Sequence, residues 1–255
     1  MALTHLVLLA HGSPRPEAAA ALDHLAARVA ERVGGPVTVA FLDHAAPDLA
    51  EAVTLAALEG ADEVVVVPLL LSDAFHAGLD VPEAVASART QSPEVQVQLA
   101  RPLGSDAALR DAAVEVLGDA GVQIASLPRA EAGWGIVLVA AGTSDAVARA
   151  ALQDLSAVAP LGGRAPALTA FATGGGTSVV EAVAALRSSG CPHVAVVPLV
   201  VAPGVISDRV AVQARDAGAD LVTATLHTTD ALVDLVLDRA EASCATIPAG
   251  TTPAR

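Results

Sequence analysis

The stretch Val7-Leu8-Leu9-Ala10-His11-Gly12-Ser13 is a run of apolar residues that ends in a His-Gly turn. It resembles Val137-Leu138-Val139-Ala140-Ala141-Gly142-Thr143, which follows 130 residues later. The same shift aligns further segments: Phe41 with Phe171, Glu51-Ala52-Val53 with Glu181-Ala182-Val183, and residues 64–69 with residues 194–199. One unbroken register over so long a stretch indicates an internal duplication.

The duplication predicts two homologous domains, at residues 1–120 and 134–245, followed by a tail at residues 246–255. The join between the domains is rich in residues that break secondary structure, namely Gly118, Gly121, Pro128, Gly133 and Gly135. We expect the two domains to be pseudo-symmetric halves of a monomer.

Each half repeats a strand followed by a helix four times. In the first half the strands are predicted near residues 3–10, 36–42, 63–71 and 94–100. The helices are predicted near residues 14–33, 47–59, 81–91 and 105–117, with Pro14 and Pro47 in the first turns of two of them.

The first and third strands are nearly continuous runs of Val and Leu, which is typical of strands that are covered on both faces. The fourth strand alternates with Gln and is predicted to lie at an edge of the sheet. Alternating strands and helices predict an α/β fold in which each domain is a parallel four-stranded sheet covered by helices.

The composition excludes several classes of protein. The 255 residues carry 28 acidic and 14 basic side chains, all of the latter Arg, for a formal charge of −14. An apolar fraction of 53% with only 16% charged residues excludes a disordered chain. A chain this acidic has no basic stripe with which to neutralise nucleic-acid phosphates, so we expect no nucleic-acid partner.

We expect a cytoplasmic protein with no membrane partner. The most apolar stretch, residues 194–206, is broken by Pro198 and Pro203 and is shorter than the roughly 18–20 residues that a membrane span needs. No basic residue precedes the first apolar run, so a signal peptide is not expected. Cys191 and Cys244 lie far apart and outside any Cys-x-x-Cys pattern, which argues against a disulfide framework or an iron–sulfur site.

Three titratable side chains of the first half follow its first three strands. His11 ends the first strand, Asp43 the second, and His76 lies five residues after the third. In open parallel sheets ligands bind beyond the carboxyl ends of the strands, so we expect these groups to share one site. The aligned residues of the second half are Ala141, Thr173 and Ile206, which predicts a working site in the first half and a degenerate one in the second.

Each of these residues alone also fits a plain structural role. A histidine after a strand is often a loop residue that bonds to a backbone carbonyl, and Asp43 could form the turn that leads into the second helix. His44 is adjacent to Asp43, and the sequence leaves the direction of its side chain open. Gly174-Gly175-Gly176 lacks the lysine of a phosphate-binding loop and is predicted to be a turn, with Thr177 or Ser178 capping the next helix.

Two imidazoles and a carboxylate can hold a divalent metal such as Fe, Co, Ni or Zn in an open site. Imidazoles also accept protons near neutral pH. We therefore predict His11, His76 and Asp43 as metal ligands and His11 and His76 as catalytic groups.

The order of these motifs resembles that of the sirohydrochlorin chelatases, the class II chelatase family, in its long two-domain form. The resemblance rests on Leu8-Leu9-Ala10-His11-Gly12-Ser13, on Phe41-Leu42-Asp43 followed by Pro47, on Val67-Pro68-Leu69-Leu70-Leu71 leading to His76 and Asp80-Val81-Pro82, and on Arg101-Pro102-Leu103-Gly104. Asp43 stands where family members often carry Glu, and Ala74 and Gly78 differ from the residues expected around His76.

This resemblance implies an enzyme that inserts a divalent metal into the tetrapyrrole sirohydrochlorin, with the metal as a substrate and no permanently bound cofactor. His11 and His76 match the two active-site histidines of the family. Insertion of iron for sirohaem synthesis is the first hypothesis, and insertion of cobalt for cobalamin synthesis is the alternative. A non-catalytic carrier of a metal or a tetrapyrrole that uses the same residues is a further alternative. The substrate carries many carboxylates, for which Arg15 or Arg209 are candidate partners.

Overall fold

The computed structural model describes residues 4–71, 80–122, 133–157 and 165–244, and within them the chain forms two parallel four-stranded sheets covered by helices. The strand orders are β2-β1-β3-β4 and β6-β5-β7-β8. The α/β fold expected from the sequence is thereby confirmed, and so is the edge position of β4. The predicted join between the halves and the predicted tail lie largely or wholly outside these residues.

The first half has four strands and four described helices. The strands are β1 (Thr4–Ala10), β2 (Val37–Phe41), β3 (Glu63–Pro68) and β4 (Gln96–Leu99). The helices are α1 (Pro16–Val33), α2 (Leu49–Leu58), α3 (Asp80–Gln91) and α4 (Ala108–Asp119).

The second half follows the same plan. Its strands are β5 (Trp134–Ala140), β6 (Ala167–Phe171), β7 (His193–Pro198) and β8 (Leu221–Val222). Its helices are α5 (Ala146–Ala157), α6 (Val179–Ser188), α7 (Val205–Asp216) and α8 (Asp230–Cys244), with a short 3-10 turn at Leu226–Thr228. None of the helices described is long and apolar enough to cross a membrane.

The strand register repeats in the two halves. Leu6 pairs with Val37 between β1 and β2, and Ile136 pairs with Ala167 between β5 and β6. Both members of the pair are displaced by the same 130 residues that separate the repeated segments in the sequence. The duplication therefore preserves the pairing as well as the order of the strands.

Three helices of the first half begin two or three residues later than predicted, and the third of them, α4, begins at Ala108 and not near residue 105. Helix α1 begins at Pro16 and not at Pro14, with Arg15 as its N-cap. Pro47 precedes α2, whose N-cap is Asp48, because Asp48 and Glu51 form a reciprocal capping box. Ser178 caps α6 through the same arrangement with Glu181, which confirms the prediction of a cap at Thr177 or Ser178.

The last helix of each half packs against the sheet of the other half. Helix α8 contacts β3 and β4, and α4 contacts β7 and α8. One hydrophobic cluster consequently runs through both halves and includes Leu8, Leu138 and Val236. The inner faces of the two sheets share this core, while each outer face has a separate cluster beneath its own helices.

The side chain of Arg239 connects α8 to the first half. Its guanidinium donates hydrogen bonds to the backbone oxygens of Pro102, at 3.0 Å, and Leu103, at 2.9 Å, and to the carboxylate of Asp106, at 2.7 Å. Arg239 is 11% exposed, so these bonds are shielded from water. The packing of α4 and α8 against the opposite halves and the hydrogen bonds of Arg239 together hold the two halves in contact.

Candidate active site

His11 follows the last residue of β1, one of the two inner strands of the first sheet. Asp43 follows β2, its neighbour, and the Asp43 N–H donates a hydrogen bond of 2.9 Å to the backbone oxygen of His11. The carboxyl ends of parallel strands meet at one edge of a sheet. The sequence prediction that His11 and Asp43 lie side by side at this edge agrees with the backbone geometry.

Gly12 makes this close approach of the two loops sterically feasible. Its φ of +97° lies in the left-handed region, and a Cβ added there would stand 1.8 Å from the Asp43 backbone oxygen. Gly142 of the second half has φ +116° and stands in the same relation to Thr173, at 1.9 Å. The backbone turn is therefore common to both halves.

The side chains at this shared turn differ between the halves. In the second half Ala141 has no polar side chain, and the Thr173 hydroxyl donates to the Ala141 backbone oxygen at 2.6 Å. In the first half the same two positions carry an imidazole and a carboxylate. The second copy keeps the fold of the turn without titratable groups, as the sequence predicts for a degenerate site.

His44 also reaches this edge, and the sequence left its direction open. Its ring lies edge-on to that of His11, with ring centroids 6.3 Å apart and an angle of 86° between the ring planes. The Asp43 carboxylate accepts a hydrogen bond of 2.7 Å from the His44 backbone N–H, and its other oxygen lies 3.4 Å from His44 Nε2. The structure thus brings His11, Asp43 and His44 together.

The sequence did contain a signal for His44. It aligns with Gly174 at the shift of 130 residues, and both residues have positive φ angles, +65° for His44 and +74° for Gly174. Left-handed backbone is unfavourable for a residue with a Cβ. A histidine at a position that suits glycine is a departure from local preference, and such departures concentrate at functional sites.

His76 lies in the segment 72–79, outside the described residues, so its predicted role stays a prediction. Leu69 and Leu70, which precede this segment, line the cavities described next. Among the residues that the structure describes, no three His, Cys, Asp or Glu side chains form a group that could hold a metal ion. His11 and His44 bring two imidazoles to this edge, and the predicted role of Asp43 as a metal ligand stays a prediction.

A cleft between the two halves opens directly onto His11. One cavity of about 330 Å³ is bounded by residues 10–14, Leu22, His44 and Leu69 of the first half and by residues 200–207 of the second. A second cavity of about 250 Å³ extends past Leu70, Leu71, Ala141 and Leu199. The two cavities share His11, Leu69, Val200 and Val201, so they are parts of one largely apolar cleft.

The N-termini of two helices lie at the rim of this cleft. Helix α1 begins two residues after Pro14, and helix α7 begins directly after Gly204. Pro14 and Gly204 both line the larger cavity. Helix N-termini carry partial positive charge and unpaired N–H groups. Arg15 and Asp208 form an ion pair of 2.7 Å between these helix starts, with both side chains about half exposed.

Comparisons with known proteins find matches to both halves of the chain. A family model described as CbiX matches residues 5–120 and again residues 135–243. The sirohydrochlorin ferrochelatase of Priestia megaterium is 25% identical over 210 residues, covering 80% of this chain and 76% of that protein. The sirohydrochlorin cobaltochelatase of Methanopyrus kandleri is 36% identical over 80 residues, covering 31% of this chain and 55% of that protein.

A solved structure shows that the whole fold is shared. SirB from Bacillus subtilis, solved with Fe3+, superposes with a TM-score of 0.76 at 20% identity, covering 95% of this chain and 96% of that one. At this identity the likeness concerns the arrangement of the two sheets and their helices. The double match of the family model agrees with the duplication found in the sequence.

Proposed function

The chain belongs to the CbiX family, and on that premise we propose that it is a sirohydrochlorin ferrochelatase, an enzyme that inserts Fe(II) into sirohydrochlorin. The observation that carries the proposal is the position of His11, after the end of an inner strand and in the lining of an apolar cleft bounded by both halves. The metal ion is a substrate in this reaction and leaves with the product.

The cleft suits a flat macrocycle. Its walls are formed by Leu69 and Leu70 on one side and by Val200 and Val201 on the other. Apolar walls with a few polar groups are usual for small-molecule sites, because they bury most of the ligand and leave orientation to the polar groups. The macrocycle would lie between the halves with one face turned to His11.

Insertion requires that the macrocycle lose two pyrrole protons while the metal ion sheds its other ligands. The imidazole of His11 can hold the ion through a ring nitrogen or accept a pyrrole proton, which are the two roles that imidazole commonly has in active sites. His76 is the second imidazole in the proposal. Together they would hold the ion and the macrocycle in the orientation needed for transfer, which lowers the entropic cost of the reaction.

The rim of the cleft supplies charges for the substrate carboxylates. Pro14 and Gly204, which precede the N-termini of α1 and α7, line the larger cavity, and Arg15 is the N-cap of α1. Anions are stabilised at helix N-termini, and guanidinium binds carboxylates with two hydrogen bonds. A substrate carboxylate would compete with Asp208 for Arg15. This local field opposes the overall charge of −14, which by itself repels a polyanion.

Iron is favoured over cobalt by the extent of the likeness. The ferrochelatase of Priestia megaterium is similar over 80% of this chain, whereas the cobaltochelatase of Methanopyrus kandleri is similar over 31%. The higher identity of the latter, 36%, keeps cobalt insertion as the second candidate. Sites built from nitrogen and oxygen ligands rank these metals in the same order of affinity, so geometry and metal supply decide between them.

Three further expectations complete the proposal. No permanently bound cofactor is required, because the divalent metal and the tetrapyrrole together account for the reaction. The enzyme acts as a monomer, since the two halves already enclose the cleft. It works in the cytoplasm, where sirohydrochlorin and reduced iron would meet.

Anaerobic incubation of the purified protein with sirohydrochlorin and Fe(II) tests the proposal, with absorbance reporting formation of the metallated product. We expect turnover above the spontaneous rate, and a loss of about 10²-fold or more for His11→Ala and for His76→Ala. Parallel reactions with Co(II) compare the two candidate metals. Binding of one equivalent without turnover would identify a carrier, and no acceleration with either metal would exclude a chelatase.

A further inference from the structure

His44 occupies a backbone conformation that its side chain does not favour. Its φ is +65°, whereas the aligned position of the second half is Gly174, with φ +74°. Glycine adopts this conformation at no steric cost, whereas a residue with a Cβ adopts it only with a steric penalty. The second half therefore forms this loop with a glycine. The first half carries a histidine at the same position, although its Cβ makes the backbone conformation less favourable.

Packing does not explain the imidazole. The side chain of His44 is 48% exposed, and it lines the larger cavity of the cleft beside His11. A half-exposed ring buries little surface and therefore contributes little to the free energy of unfolding. What His44 adds to the loop is a ring with nitrogen ligands at the wall of the cleft.

The geometry of the two rings suits a shared metal ion. Imidazole nitrogens bind divalent metals such as zinc at about 2.1 Å, which places the centroids of two rings on one ion about 5 to 6.5 Å apart. The centroids of His11 and His44 are 6.3 Å apart. This separation lies at the upper end of the range for two rings on one divalent ion.

The Asp43 carboxylate is placed to orient His44. It accepts a hydrogen bond from the His44 backbone N–H and approaches Nε2 to 3.4 Å. Metal-binding histidines commonly direct their second nitrogen to a carboxylate, which fixes the ring and strengthens the bond to the metal. With Nε2 turned to Asp43, Nδ1 of His44 is the nitrogen that remains for a metal ion.

From these observations we propose that His44 is a ligand of the incoming divalent metal, beside His11, and that Asp43 positions it. This inference rests on the proposed chelatase function and deepens it. The ion would exchange bound waters for the two imidazoles before the macrocycle takes it up. His44 then acts in capture of the metal, at the mouth of the cleft, and not in recognition of the tetrapyrrole.

The variant His44→Gly tests the inference, because it copies Gly174 and removes the imidazole while relieving the backbone. His44→Asn is a second variant, since asparagine tolerates left-handed backbone. The control is His193→Gln, which removes an exposed histidine at the start of β7. Each protein is titrated with Co(II) alone, followed by visible absorption, and is then assayed for steady-state insertion.

We expect both His44 variants to raise the Kd for Co(II) and the KM for the metal about tenfold, the lower end of the effect of disturbing a metal site. The KM for sirohydrochlorin should stay within twofold of wild type, and Tm should be unchanged or higher. Asp43→Asn should weaken Co(II) binding less than His44→Gly does, and Asp43→Glu should restore it at unchanged Tm.

If the wild type inserts metal but has the same Kd for Co(II) and the same KM for the metal as both His44 variants, the inference is overturned and the proposed function stands. A wild type that binds Co(II) through His44 but inserts no metal would overturn the proposed function and leave the ligand assignment standing. A wild type that neither binds Co(II) nor inserts metal would overturn both.

Discussion

The backbone oxygen of Asp43 lies where a side chain on Gly12 would begin, since a Cβ at Gly12 would stand 1.8 Å from it. Because the Asp43 N–H also donates to the His11 backbone oxygen, the loops after β1 and β2 are held against each other. The position of His11 thus depends on a glycine that has no chemistry of its own. The second half keeps this contact without the titratable groups.

Replacement of Gly12 by alanine tests this dependence. The left-handed backbone and the clash with Asp43 should lower the free energy of unfolding by at least about 2 kcal/mol. Metal insertion per folded molecule should fall about 10²-fold, because His11 and Asp43 must move apart. Gly218→Ala is the matched control, with φ +74° but open space around the new methyl group. Urea unfolding and the insertion assay provide the two measurements.

We expect the control to lose about 1 kcal/mol of stability and no activity, since it adds backbone strain without a clash. If Gly12→Ala behaves like Gly218→Ala in both measurements, the contact between the loops does not position the site.

Much of the fold could be predicted from the sequence, for local physical reasons. Buried parallel strands require continuous apolar residues, so the runs at residues 64–69 and 194–199 marked β3 and β7. The repeat fixed the pairing, as Leu6 with Val37 and Ile136 with Ala167 show. The helix start at Pro14 was wrong because Pro16 also satisfies the preference of proline for the first turn.

Contacts between residues distant in sequence could not be predicted. The exchange of α4 and α8 between the halves leaves no periodic signal, and neither does the ion pair of Arg15 with Asp208. The direction of His44 depends on its φ angle, which only the comparison with Gly174 could have indicated. The local sequence pattern determines the helices and strands and the edge of the sheet at which the candidate site lies. The walls of the cleft depend on how the two halves pack against each other, which the pattern does not indicate.

Arg239 gives a prediction about the contact between the halves. Its guanidinium donates to Pro102, Leu103 and Asp106 and is 11% exposed, so Arg239→Met would remove three hydrogen bonds that are shielded from water. The free energy of unfolding should fall by about 2–3 kcal/mol, as for other buried hydrogen bonds to charged groups. Urea unfolding followed by circular dichroism measures the change.

Arg215→Met is the control, because Arg215 is exposed in the last turn of α7. Its effect should stay within about 0.5 kcal/mol, as for most surface substitutions. Equal effects of the two variants would show that the Arg239 contacts contribute nothing to the joining of the halves.

His227 gives a prediction about pH. Burial lowers the pKa of His227 below its ordinary 6.5, and the charges of His24 and Arg28 on α1 lower it further. Its Nδ1 lies 3.0 Å from the Thr225 hydroxyl. The unfolded chain therefore takes up a proton at higher pH than the folded chain does. Stability should be complete above about pH 6.5 and should fall as the pH decreases below it.

The variant His227→Gln should flatten this decline, measured by urea unfolding at pH 7.5, 6.5 and 5.5. A residual decline is expected from His5, because burial also lowers the pKa of that histidine. Identical pH profiles for wild type and His227→Gln would contradict the prediction.

The ion pair of Arg15 with Asp208 gives the last prediction, about recognition of the substrate. Arg15→Met should raise the KM for sirohydrochlorin about fivefold, a modest effect because the side chain is half exposed and screened by water. Asp208→Asn should lower that KM or leave it unchanged, since it frees Arg15 for a substrate carboxylate. The KM of the wild type should rise with ionic strength, and that of Arg15→Met should rise less.

Arg209→Met tests the other arginine that the sequence suggested, and Arg32→Met is the control. Arg32 lies on α1 as Arg15 does and also pairs with an aspartate, but at the opposite end of the helix from the cleft. Replacement of Arg32 by methionine should leave the KM for sirohydrochlorin and the KM for the metal unchanged. If Arg32→Met and Arg15→Met raise the KM for sirohydrochlorin equally, the effect reflects the net charge of the protein. A rise confined to Arg15→Met, with kcat unchanged, locates the substrate carboxylates at the mouth between α1 and α7.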